Sequence, residues 1–239
     1  NLASVLLQMA ALGLGDVESF PFVDPPDAAA VRDGIGLLEE LGAVVPDLPG
    51  DRDWLTPIGR RLARLPVDPR LGRMLLAADE WGAVREVQVI AAALSIQDPR
   101  EYPSENDAAA RASHARFIEP TSDFLGVLRL WEYLAEQRRE RSGNQFRKLC
   151  RSEFLHSLRV REWQDLVAQL DRTCREMGIR RNNAPASPEA IHRALLSGML
   201  SHIGLRDDES SGARSADRSG RNDGRTRRER SAVRPRSSR

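Results

Sequence analysis

LTPIGRRLARLPVDPRLGRML, residues 55–75, is the stretch that decides the fold. Pro57 has a fixed φ and no N–H, so within a helix it belongs in the first turn. Ile58, Leu62 and Leu65 follow at helical spacing until Pro66 ends the run. Asp68 then caps a second helix, with Pro69 in its first turn. Two short helices, each opened by a proline, predict a mainly α-helical body.

Upstream, Leu2, Val5, Leu6, Met9 and Leu12 keep helical spacing from Asn1 to Gly13 or Gly15. The acidic link ESFPFVDPP holds three prolines that forbid helix. A second helix is expected from Asp27 to Leu41, with Val31, Ile35, Leu38 and Leu41 on one face. Gly34 and Gly36 weaken it, so packing has to hold it. Ala43–Val45 and Trp54–Thr56 read as short strands separated by the turn-rich PDLPGDRD. Helix, helix, hairpin is the order of a small winged-helix unit, here residues 1–66.

Downstream, residues 67–205 read as helices only, near 69–80, 83–96, 107–116, 122–140, 144–152, 159–177 and 188–203. Val160, Trp163, Leu166, Val167, Leu170 and Cys174 make one helical face, while Phe146, Leu149 and Cys150 make another. The phase is lost across Phe154–Leu158, which predicts a kink or loop and leaves His156–Arg161 at a helix junction. Residues 206–239 hold eleven arginines, six acids and hardly any apolar side chain, and are expected to be disordered.

The net charge of +1 hides strong asymmetry. The first sixty residues are acidic, whereas Arg129–Arg161 carries nine bases against four acids. Such a split suits one face for a protein neighbour or solvent and another for a polyanion. Two distant cysteines, Cys150 and Cys174, make neither a disulfide framework nor a zinc site, and read as buried thiols in a reducing cytoplasm. No apolar run reaches the length of a membrane span, and residues 1–14 lack the features of a signal peptide. Beginning at Asn1, the chain reads as a fragment.

Catalytic signals are missing. No GxxxxGKS or GxxxxGKT phosphate loop occurs, since the one lysine is Lys148. The four histidines show no metal-ligand spacing, and no GxSxG occurs. No catalytic residue, metal ligand or cofactor is therefore assigned within this chain.

NLASVLLQMAALGLGDVESFPFVDPP, LLEELGAV, the 55–76 segment, VIAAALSIQDPREYP and FRKLCRSEFLHSLRVREWQDLVAQL together resemble the DEAH-box RNA helicases. They resemble the region beyond the ATPase core, and REWQDL points to the bacterial HrpA-like branch. The resemblance implies a winged helix followed by a ratchet-like bundle that closes a single-stranded RNA channel beneath RecA-like motor lobes of the same polypeptide. ATP and magnesium would serve the parent protein's motor. The family continues with an OB-fold after SHIGL, whereas this chain continues with the arginine-rich tail, either a truncated or frame-shifted end or a real divergence.

Within that implied role, Arg147, Lys148 and Arg151 face outward if Phe146, Leu149 and Cys150 face in. Arg159 and Arg161 sit at the expected junction. These five are the RNA-backbone candidates, although Glu153 and Glu162 leave a solvated basic face as the alternative. His156 can reach a phosphate or ribose, or simply cap a helix. Arg60 and Arg64, one turn apart, are candidates for contact with a motor lobe, with a solvated face as the alternative. Trp131 and Trp163 read as core, and Trp54 as packing on the core of its own hairpin, with stacking on a base as the alternative. A free-standing winged-helix DNA binder would need a basic recognition helix. The 27–41 helix instead sets Arg32 against Asp27, Asp33, Glu39 and Glu40. A protein-interaction module is the remaining alternative.

Overall fold

Asp27 caps the second N-terminal helix: its carboxylate accepts the Ala30 N–H at 2.7 Å. The structure is a computed structural model, and it describes residues 2–15, 17, 20–45 and 54–204. The expected tail 206–239 and the PDLPGDRD turn lie outside the described residues.

Helix α1 (Leu2–Leu12) packs on α2 (Ala28–Glu40). Gly34 is what allows the approach, because a Cβ there would lie 2.7 Å from Leu6 Cδ1 and 3.3 Å from the Ala3 nitrogen. The glycine that weakens α2 locally is thus required by its packing. Gly42, at φ +66°, ends the helix as Ala43 N–H reaches back to the Leu38 carbonyl at 2.8 Å.

The two strand-like pieces meet in an antiparallel bridge between Val44 and Leu55. Val45 N–H donates to the Trp54 carbonyl at 2.9 Å and Thr56 N–H to the Ala43 carbonyl at 3.0 Å. Thr56 then caps α3 (Pro57–Leu62), its hydroxyl oxygen accepting the Gly59 N–H at 3.0 Å. A Cβ on Gly59 would stand 2.0 Å from the Ala43 carbonyl oxygen, so α3 lies backbone to backbone on the first strand piece. The helix stops at Leu62 rather than Leu65. Arg64 and Leu65 donate to carbonyls only three residues back, tightening the chain before Pro66.

Helix α4 (Pro69–Trp81) begins at Asp68, as its sequence predicts, and ends at Gly82 with φ +63°. Helix α5 (Val84–Ser95) is buried along most of its length and forms the centre of the bundle. Around it come α6 (Asp107–His114), α7 (Asp123–Glu140), α8 (Gly143–Ser152), α9 (Ser157–Glu176) and α10 (Pro188–Leu196). α5 packs against α4, α7 and α9, while α10 lies along α4. Trp163, 1% exposed, anchors α9 by donating Nε1–H to the Val89 carbonyl at 2.9 Å and packing on Trp131. Both cysteines are buried free thiols.

Two expected boundaries move. The expected 188–203 helix ends at Leu196, because Gly198 and Met199 turn with three-residue hydrogen bonds and a separate 3-10 turn covers Leu200–His202. At Gly198 a Cβ would be 2.3 Å from the Arg70 carbonyl oxygen. Arg70 Nη1 meets the Glu40 carboxylate at 3.2 Å, Ser201 Oγ at 3.2 Å and the Gly198 carbonyl at 3.5 Å. The end of α2, the start of α4 and the segment after α10 therefore share one guanidinium, and the described residues up to Ile203 form one compact unit.

The second shift concerns the kink expected at 154–158. Helix α8 stops at Ser152, Phe154 adopts φ +57°, and Leu155 pairs with Arg100. His156 N–H donates to the Pro99 carbonyl and Glu101 N–H to the Phe154 carbonyl, both at 2.8 Å. That pairing pulls the junction forward to 153–156, so Arg159 and Arg161 lie within α9.

Candidate nucleic-acid interface

Helix α8 owes its orientation to a reciprocal cap: Gln145 N–H reaches Ser142 Oγ, and Ser142 N–H reaches Gln145 Oε1. Phe146 and Cys150 are buried, which turns Asn144, Arg147, Lys148 and Arg151 outward on one face. These four residues form one wall of a groove of about 700 Å³. Glu101 and Pro103 line it as well, together with the Phe154–Leu158 junction. Leu158, 68% exposed, adds apolar surface that its position in the phase break did not announce.

Charge pairing separates the five predicted RNA-contact residues. Among the described residues no carboxylate pairs with Arg147, Lys148 or Arg151; Arg147 donates to the Asn144 amide oxygen. Arg159 instead spends Nη1 on the Asp98 carbonyl at 3.1 Å, which ties α9 to the loop after α5. Arg161 approaches Asp165 at 3.7 Å and lines a separate, shallower groove with Leu158 and Arg172. The structure thus brings three of the five together. His156 is a cap, its Nδ1 accepting the Arg159 N–H at 3.3 Å.

The two candidate motor-lobe residues are not brought onto one helical face. Arg60 folds back to donate to the Leu55 carbonyl at 2.8 Å. Arg64 is exposed, but in the turn after α3 has ended.

Next to the groove residue Phe154, Glu153 holds a partly buried polar cluster that sequence reasoning missed. Glu153 accepts the Tyr133 hydroxyl at 2.7 Å and pairs with Arg116, whose guanidinium lies over the Phe117 and Tyr133 rings. Burial raises the Tyr133 pKa, and the hydrogen bond to Glu153 adds to it. His114 Nε2 sits 2.9 Å from the Glu153 carbonyl oxygen, which assigns the proton to Nε2; burial pushes its pKa down. Burial pulls Asp98 upward, but the Arg100 hydrogen bonds and charge hold it below the usual carboxylate range. Cys150 is pushed up to about 11 by burial, with Glu153 adding to the effect, which makes it a packing residue rather than a nucleophile.

Among the described residues no group of three or more histidine, cysteine or acidic side chains gathers to hold a metal. No described helix is long and apolar enough to cross a membrane.

Comparison with known proteins fixes the family. Residues 68–157 match the profile of the helicase associated domain (HA2), ratchet-like, from the Asp68 cap of α4 to the first residue of α9. The chain is 53% identical over 219 residues to the ATP-dependent RNA helicase HrpA of Escherichia coli, covering 90% of this chain and 17% of that protein. The chain matches a segment of the HrpA-like DEAH-box helicases. The HrpA homolog of Haemophilus influenzae is 54% identical over 221 residues, again 90% of this chain and 17% of that protein. More distantly, the pre-mRNA-splicing factor ATP-dependent RNA helicase prp22 of Schizosaccharomyces pombe is 30% identical over 87% of this chain. The chain therefore spans about one sixth of the length of its HrpA relatives. Its HA2 portion contains Arg147, Lys148 and Arg151, whereas Arg159 and Arg161 lie just past the matched residues.

Proposed function

We propose that this segment guides single-stranded RNA in an ATP-dependent helicase, with the phosphate backbone following the groove beside α8. The observation that carries this reading is the row Arg147, Lys148 and Arg151, three cations on one rigid face with no carboxylate partner among the described residues. Unpaired cations are free to replace the counterions of a polyphosphate, and contacts of this kind follow the backbone whatever its sequence. In this reading residues 1–66 are the winged helix and 67–205 the ratchet, closing the channel beneath RecA-like lobes of the same polypeptide. Arg64 is the residue left exposed to meet such a lobe. ATP and magnesium would serve those lobes, because this sequence has no phosphate loop to hold them. The setting is the cytoplasm.

The free-standing DNA-binding alternative gains no support, since α2 presents Asp33 and Glu39 beside its lone Arg32. A labelled single-stranded RNA titrated against the full chain and against a chain ending at residue 205, across a salt series, tests the proposal. Binding by both, abolished when Arg147, Lys148 and Arg151 become alanine, is expected. Binding that survives this triple change, or that requires residues 206–239, would overturn it.

A further inference from the structure

Lys148 is the only lysine among 36 basic side chains, and it stands in the middle of the groove's cationic wall. Arginine resists acylation because its guanidinium stays protonated, whereas a lysine amine can lose a proton and become a nucleophile. We propose that Lys148 is an acylation site, taking its acyl group from donors whose leaving group carries phosphate.

Three features of the site favour this chemistry. Lys148 is exposed on a capped helix and held by no carboxylate among the described residues. Arg147 and Arg151 lie one and three residues away on the same wall, ready to hold the donor's phosphate beside the amine. The groove, about 700 Å³, admits a donor the size of acetyl phosphate, and Glu101 is the one carboxylate that lines it.

The step balances simply. The lone pair of neutral Nζ attacks the donor's carbonyl carbon and forms the amide C–N bond. The carbon's bond to phosphate oxygen breaks (in a thioester, its bond to sulfur), the electron pair departs with the leaving group, and the surplus amine proton passes to water. The product is neutral, so one of the groove's three cations disappears. Acylation itself does not depend on the RNA reading; its consequence for RNA does.

The test uses the full chain, whose single other amine is its terminal α-amine and serves as internal reference. Acetyl phosphate and acetyl-coenzyme A are added in separate arms, and peptide mass spectrometry follows the ratio of Lys148 to α-amine acetylation. That ratio is expected to fall at least about threefold in the Arg147→Ala/Arg151→Ala variant, and to fall with added salt in the unaltered chain. The salt arm decides the matter should the variant misfold. A ratio indifferent to both changes would overturn the proposal, and the arm with the larger ratio identifies the donor. Adding single-stranded RNA is expected to slow Lys148 alone. Acylation that proceeds as expected but ignores RNA would support the acylation site and count against the RNA reading.

Discussion

On the α6–α7 side of the molecule, Arg111 pairs with Asp107, Arg116 with Glu153 and Arg129 with Glu119. On α8, a short distance further along the chain, Arg147, Lys148 and Arg151 meet no carboxylate among the described residues. The two regions have similar cation content and opposite bookkeeping. In the first, the arginine charge is cancelled locally, within α6 for Arg111 and across elements for Arg116 and Arg129. In the second, the charge stays available to an outside anion. Counting bases along the sequence cannot separate these cases, because pairing is decided by residues brought close only by the fold.

The sharpest way to break the comparison is at Glu153, whose carboxylate is shared by Tyr133 and Arg116. Glu153→Ala strands a half-buried hydroxyl and removes a charge-assisted bond, so unfolding in urea should show a loss of about 2 kcal/mol. On the unpaired side, changing Arg147, Lys148 and Arg151 to alanine should leave stability within about 0.5 kcal/mol. The same change should abolish single-stranded RNA binding, to which the three cations should contribute a log–log salt slope of about 2 in the unaltered chain, or about 20-fold in affinity between 50 and 200 mM salt.

A smaller effect is expected from His114. Burial lowers its pKa in the folded state, so below the ordinary histidine value of about 6.5 the unfolded chain binds more protons than the folded one. Stability should therefore decline on acidification from about pH 6.5 toward 5, and His114→Gln should lessen that slope in denaturation curves taken at each pH. The smallest effect belongs to Arg161→Ala. Its partner Asp165 and Arg161 itself are both about three-quarters exposed, so thermal melts should shift by less than the equivalent of about 0.5 kcal/mol.

Much of the helical order was legible because it rests on local chemistry. Asp68 caps the helix it was expected to cap, and Asp27 and Thr56 prove to be the caps of the helices expected from Asp27 and Pro57. The inward stripe of Phe146 and Cys150 placed Arg147, Lys148 and Arg151 on the outer face before any coordinates. What escaped was set by partners far away in sequence. Arg159 reads as a free cation until the Asp98 carbonyl, 61 residues earlier, takes its guanidinium. The α8–α9 junction moved forward because Pro99 and Glu101 pair with Phe154 and His156, an interaction with no periodic signature. Glu153 looked like a counterweight to the basic face, and its burial under Tyr133 and Arg116 could be seen only in three dimensions.

Arg70 connects the end of α2, the start of α4 and the turn after α10. In mechanical terms it is a cross-brace: a push applied at the end of α2 passes directly to the start of α4 and to the turn after α10. Such bracing favours motion of these three segments as one stiff unit over bending, and swapping this one side chain for alanine would release all three ties at once.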